Sequence, residues 1–303
     1  MTGELFALVS AACFGLAGAA IAKGASNAQG DNGAFLSVIL TMAFAAAVWA
    51  ATGPQAGWPD SGAALAAGIG FFVASGMLAT VFGRLTNFKT VALAGAIRAS
   101  LLRRLIPVFS TILAFVLLGE RYELVALAGM ALILGSVALT LRERAPALTA
   151  AGEQISSSRL RLGALVGIVC ALCYASAYVA RKLAMDHVPD AAFGALVGAA
   201  TGIVWYGLAA PFSARYRDSV AGVFRTAGRW QWIAAASMSL GQVLLFFALK
   251  HAEVAVVAII GTTEIFVGLY LAAFLFKTEP PPGRFLIAAT ALATLGVVLV
   301  ALA

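Results

Sequence analysis

Glu264 stands near the middle of an apolar run from Val254 to Phe276, directly after Thr262 and Thr263. An acid at such depth costs about 2.5–3.5 kcal/mol unless it faces a cavity or a partner. There it can exchange protons or hold a cationic group. The structural alternative is a protonated side chain bonded to a neighbouring helix. Thr263 is the adjacent hydroxyl that could share such a site. Three arginines, Arg98, Arg103 and Arg104, precede Pro107. Arg98 is the better candidate for holding a carboxylate. Arg103 and Arg104 are adjacent, about 100° apart on a helix, so both cannot face one small site. Snorkelling to an interface is the alternative for all three. Tyr174 and Tyr178 stand four apart, on one helix face. Buried, their hydroxyls need partners that a polar cavity would supply. Trp205, Tyr206 and Gln242 are further candidates for the wall of such a cavity, with helix packing as the alternative.

Other chemistry finds little support. Asp31, Asp60, Asp186, Asp190 and Asp218 all lie outside the apolar runs, and His187 and His251 lie at run ends. A membrane-embedded hydrolase or prenyl transferase needs clustered Asp, Glu or His around a cation, so an enzyme is not expected. Phosphate-cradling and nucleophile-elbow motifs are missing. Cys170 and Cys173 form a CxxC, but with Cys13 the only other cysteine they read as small apolar fillers. Neither a metal nor a cofactor is expected.

The elements that hold these residues follow from composition. Of 303 residues, 62% are apolar and only 11% charged, against about 25% charged in a soluble domain. Mean hydropathy is +0.97. A soluble globule cannot hide so much apolar surface, so the chain reads as a polytopic membrane protein whose main partner is the lipid bilayer. The net charge of +7 falls mostly between apolar runs, where it meets headgroups; nucleic acid is not an expected partner. Ten spans are expected, within about three residues. The first five run Leu5 to Ala22, Ala34 to Ala51, Gly62 to Phe82, Ala92 to Leu118 and Leu124 to Leu141. The second five run Gly163 to Ala180, Ala191 to Pro211, Trp232 to Leu249, Val254 to Phe276 and Phe285 to Ala303. The alternative boundary extends the third past Arg84, with the fourth starting nearer Ser100. Trp58 reads as an interfacial aromatic, and Glu120 and Glu279 as interfacial acids ending their runs. Gly194, Gly198 and Gly202 make a double GxxxG, which lets helices approach closely.

The polar stretch 142–161 divides the ten spans into 1–141 and 162–303. Ala7-Leu8-Val9 then Cys13 in the first half matches Ala164-Leu165-Val166 then Cys170 in the second. Each half later has a small-residue helix with a polar break and then an acid: Ile106-Pro107-Val108-Phe109 with Gly119-Glu120, and Glu264-Ile265-Phe266 with Thr278-Glu279. Five spans is an odd number, so a second copy enters the membrane with opposite polarity. The fold expected is an all-α integral membrane protein, ten transmembrane helices in two inverted five-helix repeats.

The chain resembles the drug/metabolite transporter superfamily, in its EamA-type branch of ten-helix carriers. The resemblance lies in Gly83-Arg84-Leu85, Ala94-Gly95-Ala96-Ile97-Arg98-Ala99-Ser100, Ile106-Pro107-Val108-Phe109 and Leu118-Gly119-Glu120-Arg121. It continues in Phe247-Ala248-Leu249-Lys250, Thr263-Glu264-Ile265-Phe266 and Glu279; Ile265 stands where a proline is common. It implies a secondary transporter, an exporter by preference, in the inner (plasma) membrane of a bacterial-type cell, as monomer or homodimer. One central acid with nearby Arg and aromatics suits an amino acid or amine-like solute, with proton coupling through Glu264. A non-transporting receptor or scaffold and a passive channel are the alternatives.

Orientation sets two arguments against each other. Thirteen Lys and Arg lie on the side of the odd-numbered loops and four on the side of the termini. The positive-inside rule then puts the termini outside, whereas the resemblance implies cytoplasmic termini. On the family expectation, a reporter fused after Ala303 is active only in its cytoplasmic form; the opposite signal sides with the charge rule.

Overall fold

The structure is a computed structural model that describes residues 2–24, 33–55, 57–94, 102–144, 157–225, 227–277 and 283–302. Every regular element among the described residues is helical. In chain order these are α1 (Thr2–Gly24), α2 (Ala34–Thr52), α3 (Gly62–Gly76), α4 (Arg84–Ala94), α5 (Ile106–Leu113), α6 (Leu124–Arg144) and α7 (Ser157–His187). The chain continues as α8 (Ala191–Ala209), α9 (Ala214–Gly222), α10 (Arg229–His251), α11 (Val254–Gly261), α12 (Glu264–Tyr270) and α13 (Arg284–Leu302). Among the described residues, seven helical stretches are long and apolar enough to cross a membrane, and three shorter apolar ones cover Ile106–Leu118, Leu124–Ser136 and Ile287–Val300. Large apolar side chains cover the outside: Leu124 is 84% exposed and Val116 67%. In water such a surface would aggregate, whereas in lipid it is solvated.

The boundaries differ from the sequence expectation in three places. The third span does not stop at Phe82 but takes the alternative course past Arg84. It passes through a π-helical segment, Met77–Gly83, and on into α4. No proline or glycine interrupts Arg84 to Ala94, so the backbone keeps its hydrogen bonds through the polar residues. That helix also covers the expected start of the fourth span at Ala92, and the described apolar part of the fourth span is Ile106–Leu118. The sixth does not end at Ala180, because α7 continues to His187. Helix also enters both ends of the expected 142–161 linker; its middle, like Arg98, Ser100 and Glu279, lies outside the described residues.

Two helices are broken in their membrane part. Ahead of α5, Leu105 N–H donates to Leu102 C=O at 3.0 Å, a tight turn closed just before Pro107. Proline suits the first turn of the helix that follows, since its missing N–H would have had no helical partner there. Between α11 and α12 the break lies at Thr262 and Thr263. Their hydroxyls donate to Ile259 and Ile260 carbonyls at 2.7 Å each, and their amides reach those same carbonyls at 3.0 and 2.9 Å. Threonine thus offers the backbone an alternative to the continuous helix. Ile265, standing where a proline is common, is not needed for the break.

Helices meet across the two halves. α1 lies along α10, α2 against α8 and α10, α3 and α4 along α7, α5 against α11, and α6 along α13. The last pair is closest at glycines. A Cβ on Gly129 would sit 2.7 Å from the Gly296 carbonyl oxygen, and one on Gly296 would sit 2.6 Å from that of Gly129. Of the double GxxxG, Gly194 presses on the Phe72 ring and Gly202 on Val38, while Gly198 has room. Gly129→Ala puts a methyl group into backbone with nowhere to move, and overpacking of this kind costs about 1–3 kcal/mol. The purified variant is expected to melt several degrees lower; an unchanged melting temperature would show that α6 and α13 slide apart freely.

Candidate functional site

Where the broken helices meet α7 and α10, a cavity of about 490 Å³ opens between the halves. Its wall follows α1 from Ala7 to Ile21, about 20 Å at 1.5 Å per residue. Small residues create the space. Gly15, one turn from the wall, lets α1 press on α12, where a Cβ would lie 2.6 Å from the Glu264 carbonyl oxygen. Ser10 on α1 donates to Gly241 C=O at 2.7 Å, and Ser239 on α10 to Ser37 C=O at 2.7 Å. These bonds fix α10 against α1 and α2, the scaffold behind the cavity.

Glu264 begins α12, just after the threonine break, and lines the cavity. Its carboxylate lies 3.7 Å from the Arg104 guanidinium, the two side chains being 30% and 20% exposed. Tyr174, Tyr178 and Gln242 also line the wall. With its carboxamide oxygen turned toward α7, Gln242 accepts from two Arg181 nitrogens at 3.0 and 3.3 Å.

The other sequence candidates stand apart. Thr263 is buried and bonded to Ile260 C=O, while Thr262 beside it reaches the wall. Trp205 and Tyr206 sit on α8 away from the cavity lining. Tyr206 stacks on Phe35 at 4.5 Å and meets Tyr216 edge-on at 5.1 Å. The Trp205 indole nitrogen is buried without a hydrogen-bond partner among the described residues.

The sequence reading missed the cations. Arg103 and Arg104 both line the cavity, although the helical argument kept them apart. That argument assumed continuous helix and a small site; the turn at Leu102 to Leu105 and the size of the cavity remove both conditions. Arg103 lies 5.7 Å over the Tyr174 ring. Arg181 is only 4% exposed, with its guanidinium 4.8 Å over Phe246 and 5.7 Å over Tyr178. The sequence expectation ends the sixth span at Ala180, one residue before it. The signal was present: Tyr174, Tyr178 and Arg181 fall at i, i+4 and i+7, one face of a helix running to His187. Arg84, counted as a loop charge, lines the cavity and donates to Ala34 C=O at 3.2 Å.

At the far end, polar groups tie helix termini together. Lys182 donates to the carbonyls of Leu249 and Ala252 at 3.0 Å each, closing the C-terminus of α10. Glu120, expected as an interfacial acid, caps a helix. It accepts from Val254 N–H at 2.8 Å, Ala255 N–H at 3.4 Å and Tyr122 O–H at 2.8 Å, an anion on the first turn of α11. Burial and these Glu120 contacts push the Tyr122 phenol well above its usual range. Asp190 is fully buried and caps α8 by accepting from Phe193 N–H at 3.0 Å. It also accepts from Trp49 Nε1 at 3.1 Å and from Trp58 Nε1 and Gln55 N–H at 3.3 Å. Trp58, expected as an interfacial aromatic, also serves this cap.

The comparisons with known proteins bear on what this cavity is for. A solved structure described as "Crystal structure of protein" is similar over 99% of this chain and 96% of its own, with a TM-score of 0.61 and 19% identity. At that identity the likeness concerns the fold alone. No curated protein matches the sequence significantly. The profile of the EamA-like transporter family matches the chain twice, over residues 1–142 and 161–302. Those two matches take in every wall of the cavity, and the chain belongs to the EamA-like transporter family of multi-pass membrane transporters for small solutes.

Proposed function

We propose that the protein is a secondary carrier that exports a small metabolite by alternating access across the inner membrane of a bacterial-type cell. Its ten spans are α1, α2, α3 with α4, α5, α6, α7, α8, α10, α11 with α12, and α13. They form two inverted halves, 1–141 and 162–303, joined by 142–161. The helix pairing supports this reading. Exchanging each span with the one five later turns the α1–α10 contact into the α7–α3 contact and maps α2–α8, α5–α11 and α6–α13 onto themselves. A two-fold axis between the halves has that property.

The observation that carries the function is the cavity at this interface, walled by the broken helices of both halves. Discontinuous helices at mid-membrane are where carriers of inverted-repeat design hold substrate and coupling ion. Glu264 is the coupling acid in this proposal. Arg104 faces it directly, and Arg103 and Tyr178 lie within electrostatic reach. A carboxylate on the solute suits the arginines, and an amino group, where the solute has one, suits Glu264.

Protein in liposomes should show saturable uptake and counterflow. A channel shows neither, and a receptor binds without moving solute. Glu264→Gln keeps the shape and removes the charge. Its transport should lose pH dependence and fall at least about tenfold, the scale of one lost charge-assisted hydrogen bond, with little change in melting temperature. Wild-type pH dependence in this variant would make Glu264 a structural residue.

A further inference from the structure

The described cavity wall carries Arg84, Arg103, Arg104 and Arg181 against one carboxylate, Glu264. The formal balance is 4 − 1 = +3. A guanidinium withdrawn from water needs an anion or several acceptors to offset its desolvation. Arg181 has only the neutral Gln242 oxygen and two ring faces, and its Nε is buried without a partner among the described residues. Arg104 meets Glu264, yet its Nε is likewise unpartnered. Guanidinium groups on a cavity wall, short of acceptors among the described residues, are the complement of an anionic ligand.

The cations form two groups at different depths. Arg181 lies over Tyr178, and Arg103 over Tyr174. Those tyrosines are one helical turn apart, about 6 Å along α7. Apolar side chains, Val38, Ala195, Leu245 and Val257 among them, complete the wall. Two cationic ends and an apolar wall match a short carbon chain with an anion at each end.

We infer that the cavity binds a small dicarboxylate, one carboxylate at Arg181 and the other at Arg103 and Arg104. This rests on the carrier reading and narrows it. A monoamine or diamine is disfavoured, and an amino group on the dicarboxylate is tolerated beside Glu264.

The test is thermal unfolding of the purified full-length protein, at matched ionic strength, with succinate, glutarate, butyrate, alanine or putrescine. A ligand of the folded state raises the melting temperature. Succinate or glutarate should stabilise saturably, at concentrations at least tenfold below those butyrate needs. Arg181→Gln and Arg103→Gln should each raise the required concentration at least tenfold, read as the ligand-induced shift from each variant's own unliganded melting temperature. Should Arg181→Gln fail to fold, Arg103→Gln carries the same comparison. Stabilisation by alanine or putrescine with none by dicarboxylates overturns the inference, as does an equal response to butyrate and succinate. Counterflow separates the two readings. Dicarboxylate binding without exchange in liposomes sinks the carrier and keeps the site. Exchange of another solute, with dicarboxylates inert, does the reverse.

Discussion

A guanidinium buried between membrane helices imposes more on this fold than any other single feature. Arg181 cannot be left bare in an apolar interior, because its desolvation is worth several kcal/mol. Its solvation has to come from other helices. Gln242 and Phe246, on α10, supply the carbonyl oxygen and one aromatic face. Tyr178, one turn earlier on α7, supplies the other. This arrangement holds α7 against α10, and α10 is in turn fixed to α1 and α2 by the serine bonds at Gly241 and Ser37. A polar cavity in the middle of the bundle is the consequence, since packing the site shut would leave the charge without solvent or ligand.

The rest of the bundle gives that cavity its shape. In lipid, helices are drawn together by close packing more than by the hydrophobic effect. Glycines therefore appear where backbones touch, as at Gly129 with Gly296 and at Gly15 with Glu264. Non-helical backbone at this depth is tolerable only beside protein or a wet cavity. Both breaks meet that condition. The turn at Leu102 to Leu105 carries Arg103 and Arg104 into the cavity, and the threonine break places Glu264 opposite. Breaking the helices thus frees backbone groups and at the same time brings together charges that continuous helices would have kept on separate faces.

The class of fold was legible because it follows from bulk properties. Sixty-two per cent apolar residues leave few alternatives to membrane helices. Span ends were less legible where charge interrupted the apolar run. Arg84 and Arg181 read as loop residues because a charge usually marks an interface, yet both helices run on past them. Glu264, Tyr174, Tyr178 and Gln242 could be picked out as polar groups at membrane depth, and the structure puts them on one wall. Trp205 and Tyr206 were chosen on the same grounds and lie elsewhere, since an aromatic with a polar tip satisfies itself as readily between helices as in a cavity. The cap at Glu120 and the tryptophan contacts of Asp190 were illegible for a different reason. Their partners, Val254 and Trp49, are more than a hundred residues away in sequence, and no local pattern announces a pairing of that range.

The distribution of strong and weak polar contacts fits a molecule that must change state. A carrier's two conformations can differ by only a few kcal/mol if both are to be visited. Asp190, with four donors and no exposure, is the kind of group that holds one arrangement, because losing any donor leaves a buried charge short of partners. The Arg104–Glu264 pair is the opposite kind. At 3.7 Å and with both side chains partly exposed, it is worth about 0–1 kcal/mol, the range of solvent-screened ion pairs. Such a contact yields to an incoming anion without a large barrier. It also spans the two broken helices, one from each half, at the point where the chain has already given up its helical bonds. Rigidity is concentrated in the caps at helix ends, and adaptability lies where the ligand would sit.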